Sequence, residues 1–253
     1  MMKKIIPAWQ CSTNVRAFTT TRMGGVSLPP FESFNLATHV GDEKNSVETN
    51  RTLLVQQGQL PHMPAFLQQV HSTKVIRLPE DLSSTDTPIA DAVYTCQPNQ
   101  VCLVMTADCL PVLLVNQQGN EVAAVHAGWR GLCEGILENT LAKFQSNPTQ
   151  ILAWLGPAIS QNAFQVGEEV RQQFVQRDPQ AALAFKQDKS AVGNQNKFLA
   201  DLYLLAKQRL NALGVSQITG GEYCTYRQAE HFFSYRRKQQ TGRMASLIWF
   251  EPS

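Results

Sequence analysis

Between Val101 and Val115 the chain is apolar at almost every position, with Thr106 and Asp108 as the polar exceptions. Both parities are apolar, so a strand of this composition has no face to give to water. Asp108 and Pro111 interrupt the run and predict a break between two strands. A sheet built on such a segment must be covered on both sides, which selects layered architectures. The 253 residues, 43% of them hydrophobic, supply enough apolar material, because a chain of this size buries roughly 70–75% of its extended surface.

Strands are predicted over 65–71, 73–78, 91–95, 101–107, 111–115, 121–126, 151–155, 215–219 and 245–250. Helices are predicted over 45–57, ended by Gly58, and over 167–177 and 199–213. A further helix is predicted over 132–144, where Leu132, Ile136, Leu137, Thr140, Leu141 and Phe144 recur at helical spacing until Asn147-Pro148. Residues 16–42, with Gly24-Gly25, Pro29-Pro30 and Gly41-Asp42, read as a turn-rich structured loop. Strands outnumber helices and occur in runs, so the expected class is α+β with a mixed sheet.

Several function classes drop out. The chain has no Walker A, G-x-G-x-x-G or G-x-S-x-G motif, which argues against P-loop, Rossmann and α/β-hydrolase chemistry. A net charge of +2, from 22 basic and 20 acidic side chains, gives no general pull toward nucleic acid or an anionic membrane. No apolar run approaches the ~20 residues of a membrane span. The stretch from Ile5 to Trp9 contains Pro7 and is too short for a secretory core. The six cysteines are scattered without a C-x-x-C pair and read as reduced thiols. A soluble cytoplasmic protein is expected.

His71, Cys109 and His126 each close an apolar β-type run: 66–70, 101–108 and 122–125. Imidazole nitrogen and thiolate sulfur commonly hold zinc, and three protein ligands leave a fourth position for water or substrate. Each residue has a plainer reading alone. A Cys in an apolar run is commonly an inert core residue, and a lone His is commonly a hydrogen-bonded rim residue. Two imidazoles and one thiolate are also the equatorial set of a blue-copper site. With no metal at all, Cys109 and His126 would make a nucleophile and base. A multicopper oxidase, however, needs more imidazoles than the five histidines here. Arg22, Arg51 and Arg130 are candidate anion contacts, Arg130 being four residues past His126 and Arg51 lying on a polar helix face. The segment Phe232-Phe233-Ser234-Tyr235-Arg236-Arg237 reads either as a stacking and phosphate-pairing surface or as a half-buried strand with solvated arginines. His62 reads as a loop surface residue, His39 as either a structural turn residue or a hydrogen-bonding group near a site, and Asp108 as either a proton-transfer group or a structural acceptor.

A series of ordered stretches runs along nearly the whole chain: Thr20-Thr21-Arg22-Met23-Gly24-Gly25, Ser33-Phe34-Asn35-Leu36, His39-Val40-Gly41-Asp42, Gln69-Val70-His71-Ser72 and Ala90-Asp91-Ala92. Further along stand Thr106-Ala107-Asp108-Cys109-Leu110-Pro111, His126-Ala127-Gly128-Trp129-Arg130-Gly131, Trp154-Leu155-Gly156-Pro157, Phe233-Ser234-Tyr235-Arg236-Arg237 and Thr241-Gly242-Arg243-Met244. Together they resemble the YfiH-type family of polyphenol oxidase or laccase-domain proteins, associated with zinc-dependent purine nucleoside phosphorylase activity. The resemblance implies a single domain over residues 1–253, layered α/β/β/α around a mixed β-sheet core. It implies a zinc ion, with copper as the alternative, on His71, Cys109 and His126. Cys109, His126 and Asp108 are the expected catalytic groups, and Arg22, Asn35, Arg51, Arg130 and Arg236 the expected substrate and phosphate contacts. The implied reactions are phosphorolysis of adenosine, inosine and 5′-methylthioadenosine, with adenosine deamination beside it. The rivals are a copper polyphenol oxidase and a Cys-His hydrolase acting on a cell-wall precursor.

Overall fold

Two stacked β-sheets form the centre of the computed structural model, which describes residues 1–82, 87–190 and 196–252. The smaller sheet is antiparallel, in the order β1 (Lys4–Ile5), β2 (Val15–Thr20), β13 (Met244–Phe250), β5 (Cys102–Thr106). The larger sheet is mixed and runs β12 (Gln217–Gly220), β8 (Ile151–Leu155), β6 (Leu110–Asn116), β7 (Val122–Ala127), β4 (Ala92–Thr95), β3 (Val75–Leu78). Its edge pairs are parallel and its central pairs antiparallel. A third, short antiparallel sheet runs β10 (Phe185–Gln187), β11 (Lys197–Ala200), β9 (Gln165–Gly167).

The two-faced apolar run explains the layering. Val112 and Leu114 of β6 pack with Leu132, Ile136, Leu137 and Leu205, which lie on α2 (Trp129–Glu134), α3 (Ile136–Leu141) and α5 (Leu202–Ala212). Leu113 and Val115, of opposite parity, pack with Cys102, Val104, Ile248 and Phe250 of the smaller sheet. The far side of that sheet, through Phe18, Leu103, Leu247 and Trp249, packs on Leu54 of α1 (Lys44–Gly58) and on Phe34 and Leu36. The sequence of layers is helix, sheet, sheet, helix, so the α+β expectation with an α/β/β/α order holds.

Local expectations fare less evenly. Residues 65–71 are not a strand; Gln68 makes one bridge to Ile89. The reason is side-chain competition. The Gln69 carboxamide accepts from the Met105 amide at 2.7 Å and donates to the Met105 carbonyl at 2.8 Å, taking the place of a backbone partner. The loop expected over 16–42 begins instead with β2, which pairs with β13 near the opposite end of the chain. The helix expected over 132–144 is two helices, separated at Gly135 with φ 108°. The remaining helix, α4 (Glu168–Arg177), lies where expected. Helix α5 starts later than expected because Asp201 caps it, accepting from the Leu204 amide at 3.0 Å.

Candidate metal centre

Cys109 occupies the corner at which the chain leaves β5 in one sheet and enters β6 in the other. Asp108 makes that corner with φ 94°, a backbone conformation that L-residues rarely adopt. His126 lies on β7, where its Cα is the register partner of Pro111. It shares the parity of Val122 and Ala124, which pack toward the smaller sheet. His71 lies on the segment before β3 and also has a positive φ, 61°. The three expected ligands converge: one ligand atom from each of His71, Cys109 and His126 lies within 4.8 Å of the others. Among the described residues this is the one such group of His, Cys, Asp or Glu side chains.

The donor set suits a metal. Cys109 Sγ is 3.5 Å from His71 Nε2. Two tetrahedral zinc ligands, with Zn–S and Zn–N bonds near 2.3 and 2.05 Å, stand about 3.6 Å apart. The rings of His71 and His126 meet edge to face with centroids 4.8 Å apart. Gly128 leaves the necessary space, because a Cβ there would collide with the His71 ring and press on Cys109 Sγ.

Asp91, which sequence reasoning assigned no role, holds the cluster together. Its Oδ1 accepts from His126 Nδ1 at 2.8 Å and from the His71 amide at 3.0 Å. Its Oδ2 accepts from the Val70 and Ser72 amides at 3.2 and 2.6 Å and from the Ser72 hydroxyl at 2.7 Å. Engaging Nδ1 leaves Nε2 of His126 to face the site, the usual carboxylate–histidine support of a metal ligand. Burial works against the Asp91 charge, yet the bonds from His126 and Ser72 hold its pKa down at about 2. Burial likewise raises the Cys109 thiol, but the imidazoles of His126 and His71 outweigh it and favour thiolate. His126 is correspondingly raised, against burial, by that thiolate and by Asp91. Both directions favour charge on the pair, and a metal bound there would compete with protons for the same donor atoms.

A cavity of about 500 Å³ opens over His71, Cys109 and His126, within the range of small-molecule sites. Its wall includes Trp129, Phe164, Tyr235, Arg236, Arg243 and His39. The Arg236 guanidinium lies 5.4 Å from the Phe164 ring centroid and donates to the Gln165 carbonyl at 3.0 Å. Arg243 donates to the carbonyls of Thr241 and Gly242. His39 has its pKa lowered by burial and by the nearby charges of Arg243 and Arg51, which favours the neutral ring.

Of the other expected contacts, Arg236 and Asp108 line this cavity. Arg22 stacks on Phe233 and donates to the carbonyls of Glu32 and Ala229. Arg51 stacks 3.6 Å from the Phe66 centroid and donates to the Leu36 carbonyl, so it is not the solvated residue of a polar helix face. Arg130 is exposed against Trp129. Asn35 is buried and accepts from the Arg243 amide at 3.0 Å, which connects it to the cavity through that arginine. Within the aromatic-basic segment, Phe232 and Phe233 are core residues and Tyr235 and Arg236 face the cavity. Arg237 clamps the carbonyls of Thr225, Tyr226 and Phe232. Arg243 was given no role in the sequence although it lies in a stretch that resembles the family, and His39, read there as a turn residue or a hydrogen-bonding group near a site, lies on the cavity wall.

The chain is similar over nearly its whole length to known proteins. The family model described as multi-copper polyphenol oxidoreductase laccase matches residues 16–251. A purine nucleoside phosphorylase of Haemophilus influenzae is 58% identical, over 99% of this chain and 100% of its own. The purine nucleoside phosphorylase YfiH of Escherichia coli is 53% identical, over 98% and 99%. The crystal structure of Neisseria meningitidis protein NMB0706 superposes with a TM-score of 0.92 at 47% identity, covering 98% of this chain and 99% of that one. The chain therefore belongs to the polyphenol oxidoreductase laccase family, among the YfiH-type proteins.

Proposed function

We propose that the chain is a zinc-dependent purine nucleoside phosphorylase acting on adenosine, inosine and 5′-methylthioadenosine, with adenosine deamination as a side activity. The observation that carries the reading is the coincidence of the three-ligand cluster with a cavity walled by two arginines and three aromatic rings. Relatives named purine nucleoside phosphorylase at 53–58% identity support it. A bound metal would supply Lewis acidity and positive charge for an oxyanion at its open position. The chain itself supplies the rest. Arg236 and Arg243 offer donors and charge for phosphate, and the faces of Trp129, Phe164 and Tyr235 offer stacking area for a purine. Phosphate oxygen bonds to C1′ of the ribose as the C1′–N9 bond breaks and the base departs. Holding both reactants in one cavity is worth up to about 7–11 kcal/mol of the barrier in ideal geometry. Six free cysteines suit a reducing compartment, and among the described residues no helix is long and apolar enough to cross a membrane; we place the protein in the cytoplasm.

The test is base release from inosine and adenosine with and without phosphate, on wild type and Cys109→Ala, with metal content measured in parallel. We expect phosphate-dependent release with one metal per chain, and loss of both metal and activity, by about 100-fold or more, in the variant. Release without phosphate by metal-free protein that still needs Cys109 would establish the Cys-His hydrolase instead. Stoichiometric copper with blue absorbance would establish the oxidase.

A further inference from the structure

We propose that Asp108 is a positioning residue rather than the proton-transfer group: its carboxylate fastens the substrate-facing segment 225–237 to the metal-bearing corner. Oδ1 accepts from the Thr225 hydroxyl at 2.6 Å. Oδ2 accepts from the Ser234 hydroxyl at 3.0 Å and from the Arg236 amide at 2.7 Å. Three of roughly four carboxylate lone-pair sites are thus taken by donors from one segment. The group is 8% exposed and its residue adjoins Cys109. The backbone carbonyl of Asp108 accepts in addition from the Ile159 amide at 2.9 Å, and the Thr225 amide donates to the Ala158 carbonyl at 3.0 Å. Three chain segments of different origin therefore meet on one residue. Each contributes to the cavity: Cys109 from the first, Ile159 and Phe164 from the second, Tyr235 and Arg236 from the third.

The backbone supports the same role. A non-glycine residue at φ 94° is held there by its surroundings, and such positions gather where a structure fixes functional geometry. The corner turns Cys109 toward the two histidines, and the same residue's carboxylate captures the amide of Arg236. The Asp108 carboxylate thereby ties the Tyr235–Arg236 wall directly to the corner that carries Cys109. This bears on turnover only if the phosphorylase reading holds, so the primary readout is one that does not depend on activity.

The experiment is amide hydrogen exchange by mass spectrometry on the metal-loaded full chain, comparing wild type with Asp108→Asn. Asparagine tolerates positive φ and preserves shape while losing one acceptor oxygen. We expect exchange in 225–237 to quicken by about tenfold or more, the factor that losing a hydrogen bond to a charged acceptor gives. Metal content and exchange in β6 and β7 should stay as in wild type. If Asp108→Asn does not fold, Thr225→Val and Ser234→Ala each remove one donor and should quicken exchange in the same segment. Unchanged exchange there in every folded variant overturns the proposal. In kinetics, positioning predicts a KM for nucleoside or phosphate raised about tenfold with a smaller change in kcat. A collapse of kcat at unchanged KM, with one limb of the pH profile lost, would instead establish proton transfer and also overturn it.

Discussion

Asp91 serves two residues of the candidate metal cluster with one carboxylate. Its five donors come from the backbone of 70–72, the Ser72 hydroxyl and the His126 ring. Asp91→Asn keeps one acceptor oxygen and turns an amide N–H₂ toward groups that are themselves donors, so His126 or the His71 amide loses its partner. Metal affinity should fall about 10–100-fold, read by competition with a coloured chelator. Wild-type affinity in this variant would show that His126 is oriented by something else. The meeting of His71, Cys109 and His126 was legible in the sequence, because sulfur and imidazole at strand ends have a limited set of uses. Asp91 was not, although it stands in a quoted stretch. Its role depends on β4 lying beside β7, which places the Asp91 carbonyl 2.7 Å from the His126 amide, and no local pattern announces that neighbour. Arg51 was misjudged for the same reason: its helix face is polar in sequence yet meets Phe66 from a distant segment.

At the scale of elements, the doubly apolar run gave the layered sheets correctly, since a strand hidden on both faces leaves few alternatives. Periodicity failed where a single residue overrode it. Leu132 to Phe144 keeps helical spacing throughout, but Gly135 at φ 108° cuts the helix, with the Gly135 amide closing α2 on the Gly131 carbonyl. A Cβ at Gly135 would find only ordinary contacts, the nearest being Glu138 Oε2 at 3.5 Å. Any cost of Gly135→Ala therefore comes from backbone conformation rather than crowding, and about 1–2 kcal/mol is expected. Denaturant unfolding measures it: a lower midpoint at unchanged slope is the expected result. A neutral or stabilised variant would mean that α2 and α3 can merge into one helix, as the spacing alone suggests. The strands β9, β10 and β11 escaped prediction because they are short and none carries a period long enough to register. Similarly, β2 lay in a segment dominated by glycine and proline punctuation, and its partner β13 is near the opposite end of the chain.

Across the whole molecule, the end of the larger sheet opposite the metal cluster is held by another buried carboxylate. Glu121, just before β7, accepts from the Tyr94 hydroxyl at 2.6 Å, the Ser146 hydroxyl at 2.5 Å and the Gln145 amide at 2.7 Å. It also accepts from the Ser146 amide and the Asn116 carboxamide. These donors lie on β4, on β6 and on the segment that follows α3, so one side chain ties the sheet to its helical layer. Burial raises the Glu121 pKa, but the bonds from Ser146, Tyr94 and Gln145 outweigh it and the folded value lies below the ordinary one. The sign follows from linkage. A depressed folded pKa stabilises fully above the unfolded value, about 4.3, and that stabilisation is lost as pH falls through the folded value. Glu121→Gln should therefore be less stable than wild type at pH 7, by about 1–3 kcal/mol, with the gap narrowing as pH drops below about 4. Urea unfolding at a series of pH values gives both numbers. Metal content should be unchanged, because His126 lies toward the other end of β7. A gap that stays constant down to the acid limit would trace the loss to altered packing rather than to the Glu121 charge.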